Sequence, residues 1–125
     1  MLVREGEKLL VAHRRLYEGD PPRFFVGQVD AYDAGIVRAT GYSYVRDAVT
    51  GRMIQKPEPR TRLLSLTAGT LLVYVLPETT DLERIEFIYS GNQLMVTDGG
   101  EFTMGLAEFL FGRRGLGAEE IGEEA

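Results

Sequence analysis

Residues 23–46 read Arg23-Phe24-Phe25-Val26-Gly27-Gln28-Val29-Asp30-Ala31-Tyr32-Asp33-Ala34-Gly35-Ile36-Val37-Arg38-Ala39-Thr40-Gly41-Tyr42-Ser43-Tyr44-Val45-Arg46. Two alternating runs meet at Asp33-Ala34-Gly35. In the first, Phe25, Gly27, Val29 and Ala31 share one face, and Gln28 and Asp30 fall on the other. In the second, Val37, Ala39, Gly41, Ser43 and Val45 alternate with Arg38, Thr40, Tyr42 and Tyr44. A period of two marks a strand, and a short Asp- and Gly-containing link between two such runs marks a turn. The small residues of the second run suit a crowded strand that bends, with Gly41 at a bulge or a barrel corner.

The same pattern extends in both directions. Residues 8–17 fit either a strand or a short helix, since Leu9, Leu10 and Leu16 do not settle the period; we read a strand, stopped by Glu18-Gly19-Asp20-Pro21-Pro22. Residues 47–60 read as a loop holding Thr50-Gly51, Pro57 and Pro59. A fourth strand over 62–67 turns at Ala68-Gly69 into Thr70-Leu71-Leu72-Val73-Tyr74-Val75-Leu76, a continuous apolar run expected to be buried on both faces. Residues 82–90 and 93–97 form a hairpin across Gly91-Asn92, ended by Asp98-Gly99-Gly100. In residues 102–111, Leu106, Phe109 and Leu110 have helical spacing and predict a short C-terminal helix. Gly112, Gly115 and Gly117 break it, so 1–112 is read as one domain and 113–125 as a flexible acidic tail. Many short strands with regular turns predict a mainly β fold closed as a small barrel.

Composition narrows the function. The chain has 125 residues, enough for one domain with its own core. With no cysteine, neither a disulfide framework nor a thiolate metal site can form. The first residues, Met1-Leu2-Val3-Arg4-Glu5-Gly6-Glu7, lack the apolar core of a signal peptide, and no apolar run approaches the roughly 18 residues of a membrane span. A cytoplasmic protein without a membrane partner is expected. The net charge is −5, but Glu119, Glu120, Glu123 and Glu124 supply most of it, leaving a nearly neutral body. That balance does not favour RNA as a partner, although local basic patches remain open.

No nucleophile elbow, zinc-protease helix, calcium loop or phosphate loop is present, and no cofactor or metal is expected. Arg60 and Arg62 alternate onto one strand face and, with Arg38, are candidates to grip a phosphate or carboxylate. Tyr42 and Tyr44 are candidates for a base-stacking platform beside them. All five residues also fit ordinary surface or interface roles. His13, the only histidine, and Asp98 are the remaining candidates for a ligand-binding or enzymatic barrel. Asp98 beside two glycines equally fits a turn that bonds its own backbone.

Two stretches together resemble the two motifs of the Sm/LSm family. Phe25-Val26-Gly27-Gln28-Val29-Asp30-Ala31-Tyr32-Asp33 is similar to the first, and Ala68-Gly69-Thr70-Leu71-Leu72-Val73-Tyr74-Val75-Leu76-Pro77 to the second. The resemblance implies a strongly bent, five-stranded, Sm-like or SH3-like barrel that assembles edge to edge into homo-oligomeric rings, here with extra strands after Pro77. Such proteins often bind RNA through the turns of the two motifs. This chain has Asp33-Ala34-Gly35-Ile36 where an Asn usually follows the Asp, and Ala68 where an Arg usually precedes the Gly. The resemblance therefore implies fold and assembly, and no base-binding residue. The expectation is a non-enzymatic binding or scaffold module, with RNA binding and a small-molecule barrel or enzyme as alternatives.

Overall fold

Strand β2 (Arg23–Asp33) and strand β3 (Ile36–Arg46) form a long antiparallel hairpin, as the alternation predicts. The computed structural model describes residues 3–14 and 21–106. Ala34 and Gly35 link the two strands with positive φ values of 49° and 84°, the backbone a two-residue primed turn requires. Strand β1 (Lys8–His13) adds to the other side of β2, and strand β6 (Leu71–Val75) adds to β1. The far edge of β3 carries strand β4 (Met53–Gln55) on residues 44–46 and strand β5 (Arg60–Ser65) on residues 36–41. β4 and β5 are thus one edge strand broken by Lys56-Pro57-Glu58-Pro59. Two prolines lack the N–H groups a ladder needs, so the chain leaves the sheet and rejoins it. The loop predicted for 47–60 therefore contains a strand.

A second antiparallel sheet follows Pro77. Its strands are β7 (Glu86–Ser90), β8 (Gln93–Thr97) and β9 (Thr103–Gly105), in that order. The β7–β8 hairpin turns at Gly91-Asn92, as the sequence predicts. A 3-10 helix at Leu82–Arg84 precedes it, where a strand is predicted. Residues 103–105 pair with β8 instead of opening the predicted helix, because β8 offers them a ladder. The rest of that predicted helix, and the tail at 113–125, lie outside the described residues.

The two sheets pack face to face over Leu10, Ala12, Phe24, Val26 and Tyr44 on one side and Ile85, Phe87, Leu94 and Val96 on the other. Phe24 and Phe87 stack at 4.6 Å between centroids, and Tyr44 tilts against Phe87 at 4.9 Å. The opposite face of the first sheet curls over a second core of Leu9, Val11, Phe25, Val29, Val37, Ala39 and Leu64. β1 lies between the two cores, so its four central residues are all buried.

Two features bend the first sheet. Gly27 stands opposite Gly41, and the strands approach so closely that a Cβ on Gly41 would lie 2.0 Å from the Val26 carbonyl oxygen. A β-bulge at Asp30 shifts the register between Val29 and Ala31. Ala31 then stands opposite Arg38 rather than on the Phe25 face, and Tyr32 turns in against the second core. The bulge is at Asp30 and the close approach at Gly41; the two devices divide the work predicted for Gly41 alone.

Among the described residues, no ladder joins β5 to β6, and the sheet is open where a closed barrel is predicted. β6 is therefore an edge strand. Its first four residues are half-buried and Val75 is exposed, in contrast to the burial on both faces predicted for this run. Among these residues no helix is long and apolar enough to cross a membrane.

Candidate functional site

β5 is where two of the predicted residues diverge. Arg60 stands opposite Gly41 and Arg62 opposite Ala39. Arg60 is exposed and pairs with Glu58 at 3.0 Å, a surface ion pair that contributes well under about 1 kcal/mol. Arg62 turns toward the second core. Its guanidinium lies 5.5 Å from the centre of the Phe25 ring, and its Nη2 donates to Ser43 Oγ at 3.1 Å. Its Nε is buried with no hydrogen-bond partner.

The other basic and aromatic candidates lie elsewhere. Arg38 stands opposite Leu63 and Ala31, on the outer face of the sheet away from Arg62. It borders a shallow concavity with Ile36, Leu63 and Tyr32. Tyr44 is buried between the sheets, where burial raises its phenol and a hydrogen bond from Gln55 Nε2 at 3.0 Å opposes the rise. Tyr42 packs on the same core. The tyrosines therefore face the second sheet and Arg62 faces the curl, so no stacking platform of Tyr42 and Tyr44 forms beside the arginines.

His13 and Asp98 are not brought together. Asp98 is buried in the turn after β8. Its carboxylate accepts the backbone N–H of Asp81 at 3.0 Å, of Gly100 at 2.8 Å and of Phe102 at 3.3 Å. The Asp81 bond chiefly, then those from Gly100 and Phe102, hold its carboxyl below the ordinary range against the opposing effect of desolvation. It acts as a clamp between the 3-10 segment and the β8–β9 turn.

His13 ends β1, opposite Leu71 of β6. It shares a cleft of about 350 Å³ with Arg62, Ser65, Ala68 and Thr70. This cleft lies at the open seam between β5 and β6. The imidazole is held below its ordinary value by burial first, then by the positive charges of Arg23 and Arg62. Ser43, Ser65 and Thr70 carry no sequence motif; Ser43 accepts from Arg62, and Ser65 and Thr70 line the cleft. A larger groove of about 550 Å³ runs between β4 and β7, lined by Met53, Gln55, Phe87, Ile88 and Tyr89.

The free edges are the other prominent feature. Among the described residues β5 pairs only with β3, and β6 only with β1. Leu63 on β5 is 70% exposed and Val75 on β6 is 54% exposed. Comparison with protein-family models, with curated proteins and with solved structures returns no match for this chain.

Proposed function

We propose that this chain is a non-enzymatic binding or scaffold module of the Sm-like kind, assembling with copies of itself through β5 and β6. The observation that carries the reading is the pair of unpaired edges on one open sheet, each with an exposed apolar side chain. An unpaired edge presents a row of backbone donors and acceptors that another strand can satisfy. β5 of one copy and β6 of the next would complete each other's ladders. The strand order β6-β1-β2-β3-β5 and the bend at Gly27 and Gly41 support the five-stranded curved sheet that the motif resemblance implies.

Light scattering after size exclusion tests the proposal. The expected result is a discrete multiple of 13.9 kDa that Val75→Pro converts to monomer, because proline removes a ladder donor and cannot pair at that edge. A monodisperse monomer of the unaltered chain at tens of micromolar rejects the assembly.

A further inference from the structure

We propose that the cleft at the β5–β6 seam binds the phosphate group of a small phosphorylated molecule, between Arg62 and His13. Arg62 is a half-buried cation without a countercharge. Among the described residues the one ion pair is Arg60 with Glu58, and no Asp or Glu lines the cleft. A desolvated guanidinium is costly unless its charge is compensated. Here the phenylalanine ring and the Ser43 hydroxyl hold it in place, and neither neutralises it. The orphaned Nε is a further unsatisfied donor on the same group.

The surroundings favour a tetrahedral oxyanion. His13 adds a second basic side chain from β1, and Ser65 and Thr70 add hydroxyls from β5 and the turn that follows it. A phosphate offers three oxygens, enough to meet a guanidinium, an imidazolium and a hydroxyl together, whereas a carboxylate offers two. The volume exceeds one phosphate and stands at the lower end of small-molecule sites, about 300–1,000 Å³. The phosphate would occupy the basic end, with the rest of the molecule toward the open side. The charged groups acting on His13 are Arg23 on β2 and Arg62 on β5; β6, which pairs with it, contributes no charged side chain over Leu71–Val75. A bound anion would offset both cations and draw a proton onto the imidazole. Every wall belongs to one chain, so the site does not depend on self-assembly.

The sole histidine gives the test a single signal. Imidazole nitrogen–proton spectra of the full chain are recorded across pH 5–8 at constant ionic strength. The probes are inorganic phosphate, acetate, chloride and an oligouridine lacking terminal phosphate. The expected result is a saturable shift with phosphate and a rise of about one unit in the His13 pKa, equivalent to about tenfold tighter binding by the protonated form. Acetate and chloride leave the signal in place, and Arg62→Gln weakens phosphate at least about tenfold. The comparison of anions on the unaltered chain decides the question even if that variant fails to fold. No saturation by about 10 mM phosphate, or an equal response to acetate or chloride, overturns the proposal. A response to the oligouridine alone also overturns it, and assigns the cleft to a polyanion.

Discussion

Replacing Gly41 by alanine tests the account of how the first sheet bends. The added Cβ would stand 2.0 Å from the Val26 carbonyl oxygen, 2.5 Å from Gly27 Cα and 2.8 Å from the Val26 carbonyl carbon. Carbon–oxygen contacts in sheets are about 3.3–3.6 Å, so β2 and β3 must separate by more than about 1 Å here. All three neighbours are backbone, and no rotamer change relieves them. Overpacking costs about 1–3 kcal/mol, and one or two ladder bonds stretched out of range add about 1 kcal/mol each. The sum is about 2–5 kcal/mol, a large part of the roughly 5–15 kcal/mol that holds a domain together. Urea unfolding followed by far-UV circular dichroism measures it, since the chain has no tryptophan. With a slope near 1.5 kcal/mol per molar, the midpoint should fall by about 1–3 M, or the cooperative transition should vanish. Gly91→Ala is the control: nothing lies within 4 Å of its Cβ, and only its φ of 65° penalises alanine, by about 1–2 kcal/mol. A Gly41→Ala midpoint no lower than that of Gly91→Ala would refute the close approach of the two strands.

Phe87→Ala removes the ring that stacks on Phe24 and meets Tyr44, so it should destabilise by about 3–5 kcal/mol in the same unfolding assay and loosen the β7–β9 sheet from the first; normal protection of the β8 amides in hydrogen exchange would argue against this role. Asp98 has a depressed carboxyl, so its contribution to stability is in place above the unfolded value near pH 4 and is lost as pH falls through the folded value. Asp98→Asn should be less stable at pH 7 and show a flatter stability profile below pH 4; an unchanged acid limb would remove Asp98 from the account.

The hairpin of β2 and β3 was legible because turn chemistry and period two agree across residues 23–46. The Gly91-Asn92 turn was legible for the same reason. The bulge at Asp30 was not: an inserted residue leaves the local alternation intact and declares itself only against a partner strand. It moved Ala31 off the face assigned to it. β6 misled in another way, since Leu71–Val75 is as apolar as a central strand although it ends the sheet. Residues 103–105 became a strand because β8 offered a ladder that helical spacing at Leu106, Phe109 and Leu110 could not anticipate. At the site, the shared face of Arg60 and Arg62 followed from alternation, but their different surroundings did not. The meeting of His13 with Arg62 depends on β1 pairing with β6 and on β3 pairing with β5, contacts between segments far apart in sequence.

The position of β1 between two cores has a kinetic consequence. Its apolar run Leu9-Leu10-Val11-Ala12 emerges during synthesis before every strand that will cover it. One edge waits for Phe24 to Gln28, and the other waits for Leu71 to Val75. Closing the distant β1–β6 pair is slow, because chain entropy is lost before the contacts are gained. During that interval the nascent chain displays a sticky strand with the β6 edge bare. Chaperone demand and aggregation during expression should therefore track the rate at which β6 docks, and substitutions at Leu72 or Val73 should alter yield more than their effect on final stability implies.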